Sequence, residues 1–245
     1  MWVAVSPVRC ARVVDLGVDP SLIRRRDRPN GAYLLHGDLT GHRQLSYWRN
    51  GSAASTLDIG DTDGVTTAGA LVLSGVTAAL SETTEALVVA AARMASDAGV
   101  AVVYDPNFRA RLTSPARASA VLAAVAPSCP GDTVPLLGKA DPATALMAGQ
   151  GLGAQAVAVT SGTDAVLAGG VDGRYRVPVP ANENAIDATG AGDVFTGTTA
   201  ARLALGDPLV DAVRLGIGAV SCSVTGRGGT GHIPTLAESR AAVPR

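Results

Sequence analysis

Between Ala70 and Val224 the chain alternates short apolar runs with segments of helical periodicity, and this alternation restricts its fold more than any other feature. The runs Ala70 to Ser74, Val102 to Tyr104, Ala156 to Thr160 and Ala165 to Gly169 have the length and Val/Leu content of buried strands. Arg174 to Val179 reads as an edge strand. Helical segments fall between them: Ser81 to Ala98, with Ser81 placed as a cap and Glu82 and Glu85 in the first turn, then Ala116 to Val125 and Ala143 to Gln150. Val194 to Leu205 and Leu209 to Val224 close the pattern, the last started by Asp207-Pro208. Such alternation predicts an α/β fold with a mainly parallel sheet covered on both faces and ligands at the carboxyl ends of the strands. Ahead of it, Ala32 to His36 and Arg43 to Arg49 flank a Gly/Asp-rich turn and predict a β-hairpin.

Composition narrows the function. With 245 residues the chain is long enough for one sizeable core, and no break in composition suggests a second domain. Hydrophobic residues make up 47% and aromatics only 3%, so the core must be built from Ala, Val and Leu. A formal net charge of -1 gives no electrostatic case for nucleic acid or an anionic membrane surface, which leaves small molecules as the expected partners. Cys10, Cys129 and Cys222 lack metal-ligand spacing and read as buried thiols of a reducing compartment. No secretory leader and no run of membrane-spanning length is visible, so the expected location is the cytoplasm. Lys139 is the only lysine, which excludes a P-loop and the strand lysine of protein kinases; phosphate handling would need backbone amides, arginine and a metal.

Three constellations carry chemistry. Asp187-Ala188-Thr189-Gly190-Ala191-Gly192-Asp193 precedes a helical pattern, and small residues at a helix start leave amides bare to bind an anion. Asp193 in that nest is either a helix cap or a proton acceptor. Asp105-Pro106-Asn107-Phe108-Arg109 follows a strand; it is either a proline turn capped by Asp105 or a site where Arg109 grips a carboxylate or phosphate. In the hairpin with Tyr33, Tyr47 and Arg49, either Tyr47 and Trp48 pack for stability or Tyr47 and Arg49, two apart on one face, clamp an acidic sugar.

Together these motifs resemble a known family. Asp187 to Asp193 is similar to the C-terminal signature of the ribokinase-like (PfkB) carbohydrate kinases. Asp105 to Arg109, Tyr47-Trp48-Arg49-Asn50-Gly51-Ser52-Ala53-Ala54 and Leu73-Ser74-Gly75-Val76 resemble the 2-keto-3-deoxygluconate (KDG) kinases within it. The resemblance runs from about Gly17 to about Pro234 and implies a three-layer α/β/α fold with a small β lid at about residues 31–50. It implies ATP- and Mg²⁺-dependent phosphorylation of a sugar-acid hydroxyl, with Asp193 as base and the amides around Gly190, Ala191 and Gly192 as anion hole. Tyr33, Tyr47, Arg49 and Arg109 fall on substrate-binding positions, and Thr160, Gly162 and Thr189 on the nucleotide site. Asp141 stands near the place where the family commonly has Asn-x-x-Glu close to the metal, and is the candidate replacement for that Glu. Relatives use their lids in subunit contacts, which implies a homo-oligomer. Family members begin with a strand and a Gly-Gly-x-x-x-Asn loop that do not occur before Gly17, so the chain is expected to be N-terminally incomplete. A kinase for another sugar, such as fructose or ribose, and an impaired remnant that only binds ligand are the alternatives.

Overall fold

The computed structural model describes residues 13–37, 43–128, 131–133 and 141–243. Met1 to Val5, Cys10, Cys129, Lys139 and the tip of the expected hairpin lie outside the described residues. Strands β1 (Ala32–Gly37) and β2 (Arg43–Trp48) form the antiparallel hairpin, in a register that sets Tyr33 directly opposite Tyr47.

The body starts with β3 (Ala70–Ser74), β4 (Ala101–Asp105) and β5 (Gly131–Thr133), which pair in parallel in that order. Beside β5 lies a second group, β6 (Val157–Val159), β7 (Val166–Gly170) and β8 (Gly173–Val177). The expected α/β class holds, but this second group is an antiparallel meander. The reason is local: Thr160 to Ala165 and Val171-Asp172 are too short to carry the crossover that a parallel pair needs. β5 escaped the sequence reading because Gly-Asp-Thr carries no strand signal of its own.

Helices α1 (Gly75–Ala78), α2 (Glu82–Asp97), α3 (Pro115–Val125) and α4 (Pro142–Gly151) belong to the first half of the body. α5 (Ala191–Ala204), α6 (Leu209–Ser223) and α7 (Leu236–Ala241) belong to the second. α2 begins with a reciprocal capping box: Ser81 Oγ accepts from the Thr84 amide, and Thr84 Oγ1 accepts from the Ser81 amide. Its Val88, Ala91, Ala92 and Ala95 recur at helical spacing and are buried in the core cluster with residues of β3 and β4. α5 and α6 pack together, and a second apolar cluster joins Phe195, Val213 and Ile217 to the inward residues of β6, β7 and β8. The basic run near residue 25 is structural, since Arg26 donates to both oxygens of the buried Asp61 at 2.6 and 2.7 Å and Arg24 pairs with Asp63. Cys222, read from sequence as buried, is half-buried and free.

Small residues let the chain close on itself near the carboxyl ends of β3 and β4. Ser74 and Asp105 are register partners, and a Cβ added at Gly75 would lie 2.0 Å from the Pro106 carbonyl oxygen. No side chain fits there without moving the backbone. Gly75→Ala should therefore lower stability by about 1–3 kcal/mol, the usual cost of overpacking, read from the urea midpoint at unchanged m-value. Gly151→Ala, which meets nothing within 4 Å, should leave the midpoint unchanged or raise it.

Candidate active site

The expected anion nest is built at the start of α5, which begins at Ala191, three residues earlier than its sequence pattern suggests. Gly190 is the N-cap residue, at φ 80°, a left-handed conformation that favours glycine. Close packing gives a second reason for glycine, because a Cβ there would lie 3.0 Å from the Gly229 Cα. Asp193 falls in the first turn of the helix and is exposed. Among the described residues nothing hydrogen-bonds its carboxylate, so it does no capping work and is open to a ligand.

The amides differ from expectation in one detail. The Ala191 N–H donates to the Ala188 carbonyl at 3.2 Å, and the Val194 N–H donates to the Gly190 carbonyl at 2.9 Å. The unspent donors of the first turn are therefore those of Gly192 and Asp193, not Ala191 and Gly192. The turn bond that shapes the nest consumes one of its donors, a trade that sequence spacing does not reveal.

Asp187 holds this loop in place. Its Oδ1 accepts from the Thr189 N–H at 2.9 Å and the Thr189 hydroxyl at 2.7 Å, while Oδ2 accepts from the Gly228 N–H at 2.9 Å. The backbones of Ile186 and Asp187 also donate to the Val224 carbonyl at 2.7 and 3.0 Å. One carboxylate thus joins the nest to the glycine-rich segment after α6. Thr189, expected at the nucleotide site, has its hydroxyl turned to Asp187.

The turn after β4 faces the nest. Asp105 Oδ1 accepts from the Asn107 N–H at 2.9 Å, and Asn107 sits at φ 39°, the one non-glycine residue with positive φ among the described residues. Burial pushes the Asp105 carboxyl above its ordinary value. The Asn107 hydrogen bond opposes that shift, the charge of Asp193 adds to it, and Arg109 opposes it. Asp193 and Arg109 are therefore both within electrostatic reach of Asp105. The sequence reading took Asp105 only as a possible turn cap, and its burial next to a second carboxylate was the missing signal.

The hairpin gathers the other expected substrate residues. Tyr33 and Tyr47 rings are 6.5 Å apart at 50°, and the Arg49 guanidinium lies 5.8 Å from the Tyr47 ring centroid. Ser46 on β2 is 3.5 Å from a terminal nitrogen of Arg111, just beyond the Asp105 turn, so the hairpin base reaches that turn. Thr160 and Gly162 lie just after β6, with Thr160 exposed and Gly162 at φ 61° with open space at its Cβ position. Asp141 has other work: it is the N-cap of α4, accepting from the amides of Ala143 and Thr144 at 2.9 and 3.3 Å and from the Thr144 hydroxyl. The Thr144 hydroxyl and these amides hold its carboxyl below the ordinary value. No group of three or more His, Cys, Asp or Glu side chains able to hold a metal occurs among the described residues, and no helix among them is long and apolar enough to cross a membrane.

The sequence from residue 12 to residue 236 matches the pfkB family carbohydrate kinases. The chain belongs to that family. It is 30% identical over 212 residues to the 2-dehydro-3-deoxygalactonokinase of Haloferax volcanii, covering 82% of this chain and 66% of that one. It is also 30% identical over 198 residues to the 2-dehydro-3-deoxygluconokinase of Dickeya dadantii, covering 74% and 64%. The aligned part spans about two thirds of the length of these relatives. The crystal structure of a fructokinase with bound ATP from Xylella fastidiosa superposes with a TM-score of 0.82 at 19% identity, over 95% of this chain and 79% of that one, which shows the ribokinase-like fold.

The raised Asp105 carboxyl has a consequence for stability. Its folded-state value lies above its unfolded value, so between the two the folded protein binds more protons, and stability falls as pH rises through that window. Asp105→Asn keeps the acceptor for Asn107 and removes the charge. The variant should melt higher than the parent at pH 7, with the difference vanishing below about pH 4, in thermal melts across pH.

Proposed function

We propose that this protein is an ATP-dependent kinase that phosphorylates a hydroxyl of a 2-keto-3-deoxy sugar acid, with 2-keto-3-deoxygluconate as the first candidate. The observation that carries the reading is the unengaged Asp193 carboxylate beside the bare Gly192 and Asp193 amides at the start of α5. A base and an anion-binding nest on one helical turn suit in-line phosphoryl transfer, which asks for positioning and charge stabilisation more than covalent chemistry. Asp193 accepts the proton of the attacking hydroxyl as the new O–P bond forms and the bond to ADP breaks. The two amides meet the negative charge of the phosphoryl group.

Support for an acidic sugar comes from the guanidinium of Arg49 over Tyr47 and from Arg109 beside Asp105. The names of the two curated relatives differ only in the sugar-acid epimer, so the class of substrate is better supported than the epimer. Thr160 and Gly162 are assigned to the nucleotide, with Thr189 shaping the loop beside it. Mg²⁺ bound with ATP would neutralise phosphate charge, and one or two protein carboxylates would suffice to hold it. Asp105, which lies within reach of the Asp193 charge, would hold such a cation better than Asp141, whose oxygens cap α4. The hairpin leaves Tyr33 and Trp48 52% and 60% exposed, which supports its use as a lid that also meets another copy of the chain.

The test is an ADP-release assay with 2-keto-3-deoxygluconate, fructose and ribose. The acid should be the preferred acceptor, and faster turnover on either neutral sugar would replace the substrate assignment. Asp193→Asn should keep ATP affinity while turnover falls by about 10²- to 10⁴-fold; activity within a few-fold of the parent would remove Asp193 from the role of base.

A further inference from the structure

His232 has no part in the site described above, yet it stands where the glycine-rich turn after α6 ends. The neck of that turn is closed twice. A Cβ added at Gly226 would lie 2.3 Å from the His232 backbone nitrogen, and beside this contact the Thr225 hydroxyl lies 2.8 Å from His232 Nδ1. Within the turn, a Cβ at Gly231 would lie 2.1 Å from the Arg227 carbonyl oxygen, so the loop is folded tightly on itself. Its tip carries the Gly228 amide that donates to Asp187 Oδ2, and beside it Gly229, which meets Gly190. The place of the anion nest is therefore set, at one remove, by how this neck is closed.

The imidazole is engaged on both edges. With its single proton given to the Cys222 carbonyl at 2.8 Å, the Thr225 hydroxyl can only accept from Nδ1–H. On the other edge of the ring, Nε2 lies 3.5 Å from Glu238 Oε1. All three contacts are satisfied together only by an imidazolium, which donates from both nitrogens; a neutral ring must give up one of them. Glu238 is itself fixed, since its Oε2 accepts from the Thr235 amide and hydroxyl, both at 2.7 Å, in a capping box at the start of α7. Those two bonds hold its carboxyl below the ordinary value, and the charge of His232 adds to them. α7 packs closely on α6, where a Cβ at Gly218 would lie 2.2 Å from the Ser239 carbonyl oxygen. The other ionisable groups of these elements are the Cys222 thiol on α6, pushed up by burial and then by the Glu238 charge, and Arg227 in the turn; Arg240 on α7 acts on Asp207 instead.

We infer that His232 is a positioning residue for phosphoryl transfer: protonated, it ties Thr225 to Glu238, closes the neck of the glycine turn and so holds the Gly228 amide against Asp187. This rests on the kinase reading above, because the nest fixed by Asp187 is the one assigned there to the transferring phosphoryl group. His232 acts on the reaction only through the turn. Loss of the ring proton removes one of its ties, so turnover falls as pH rises while affinity for the sugar acid is unchanged.

His232→Asn keeps an amide donor for Thr225 but carries no charge, and Glu238→Gln keeps the cap of α7 but removes the charge opposite the ring. The test compares kcat on 2-keto-3-deoxygluconate between parent and variant at matched pH, so any titration of Asp193 cancels from the ratio. Parent kcat should exceed that of either variant by about three- to tenfold at about pH 5.5, and the ratio should approach one at about pH 8, with KM for the acid the same throughout. A ratio that stays constant with pH would overturn the inference, since His232 would then only pack, and so would a loss confined to KM. Hydrogen exchange gives a reading that needs no turnover: the Gly228 amide should exchange about three- to tenfold faster in His232→Asn than in the parent at about pH 5.5, and equally fast at about pH 8. A parent that turns over neither the acid nor fructose nor ribose would overturn the kinase reading. Unequal Gly228 exchange at the lower pH would then still support the tie, whereas equal exchange at both pH values would overturn it whether or not the protein is a kinase.

Discussion

The Asp187 carboxylate is the contact on which the rest of the site depends. One oxygen organises Thr189 within the loop and the other takes the amide of Gly228, far along the chain. The start of α5 is thereby set against the segment that follows α6, at the point where Gly190 and Gly229 touch. A helix N-terminus can bind an anion wherever it occurs, but it becomes a useful site only when its amides are held at a fixed place. Here a charge-assisted clamp fixes that place, and the apolar cluster that includes Phe195, Val213 and Ile217 holds the two helices behind it.

Facing the nest, the turn after β4 holds a carboxylate under strain of two kinds. Asp105 is half-buried close to the charge of Asp193, and Asn107 adopts a left-handed backbone to bring its amide to Asp105. Both features oppose folding, and both disappear if the turn is read as a mere connection. In the proposed phosphoryl-transfer role, a cation and a substrate hydroxyl would supply what the free protein lacks. Stability given up at these positions is recovered in the Ala- and Val-rich layers around β3 and β4, where Val102, Val103 and Tyr104 are fully buried. Gly75 lets the two strand ends approach closely enough for the turn to exist.

Much of this was legible in the residues. The positions of most helices and strands followed from apolar periodicity and from caps such as Ser81, which the structure reproduces to within a few residues. The motif from Asp187 to Asp193 and the turn from Asp105 to Arg109 were both singled out by their composition alone. Features that depend on distant partners were not legible. Which amides of the nest stay free depends on the Ala188 carbonyl turning inward, and the work of Asp187 depends on Gly228. The family resemblance alone made Asp141 a candidate metal ligand, and the hydrogen bonds by which its oxygens cap the helix it begins carry no sequence signal of that role.

By itself the sequence determined the class of the fold, because period and local composition act over a few residues, and its short motifs carried the family resemblance that implies the chemistry: alternating strands and helices, an arginine-rich chain with a single lysine, and a small-residue loop ending in a carboxylate. Only the tertiary structure decided that β6 to β8 run antiparallel, that Asp105 senses the charge of Asp193, and that Ser52 lies buried without a partner. Burial and electrostatic proximity are properties of what surrounds a residue in space, and the residues that surround these come from distant parts of the chain.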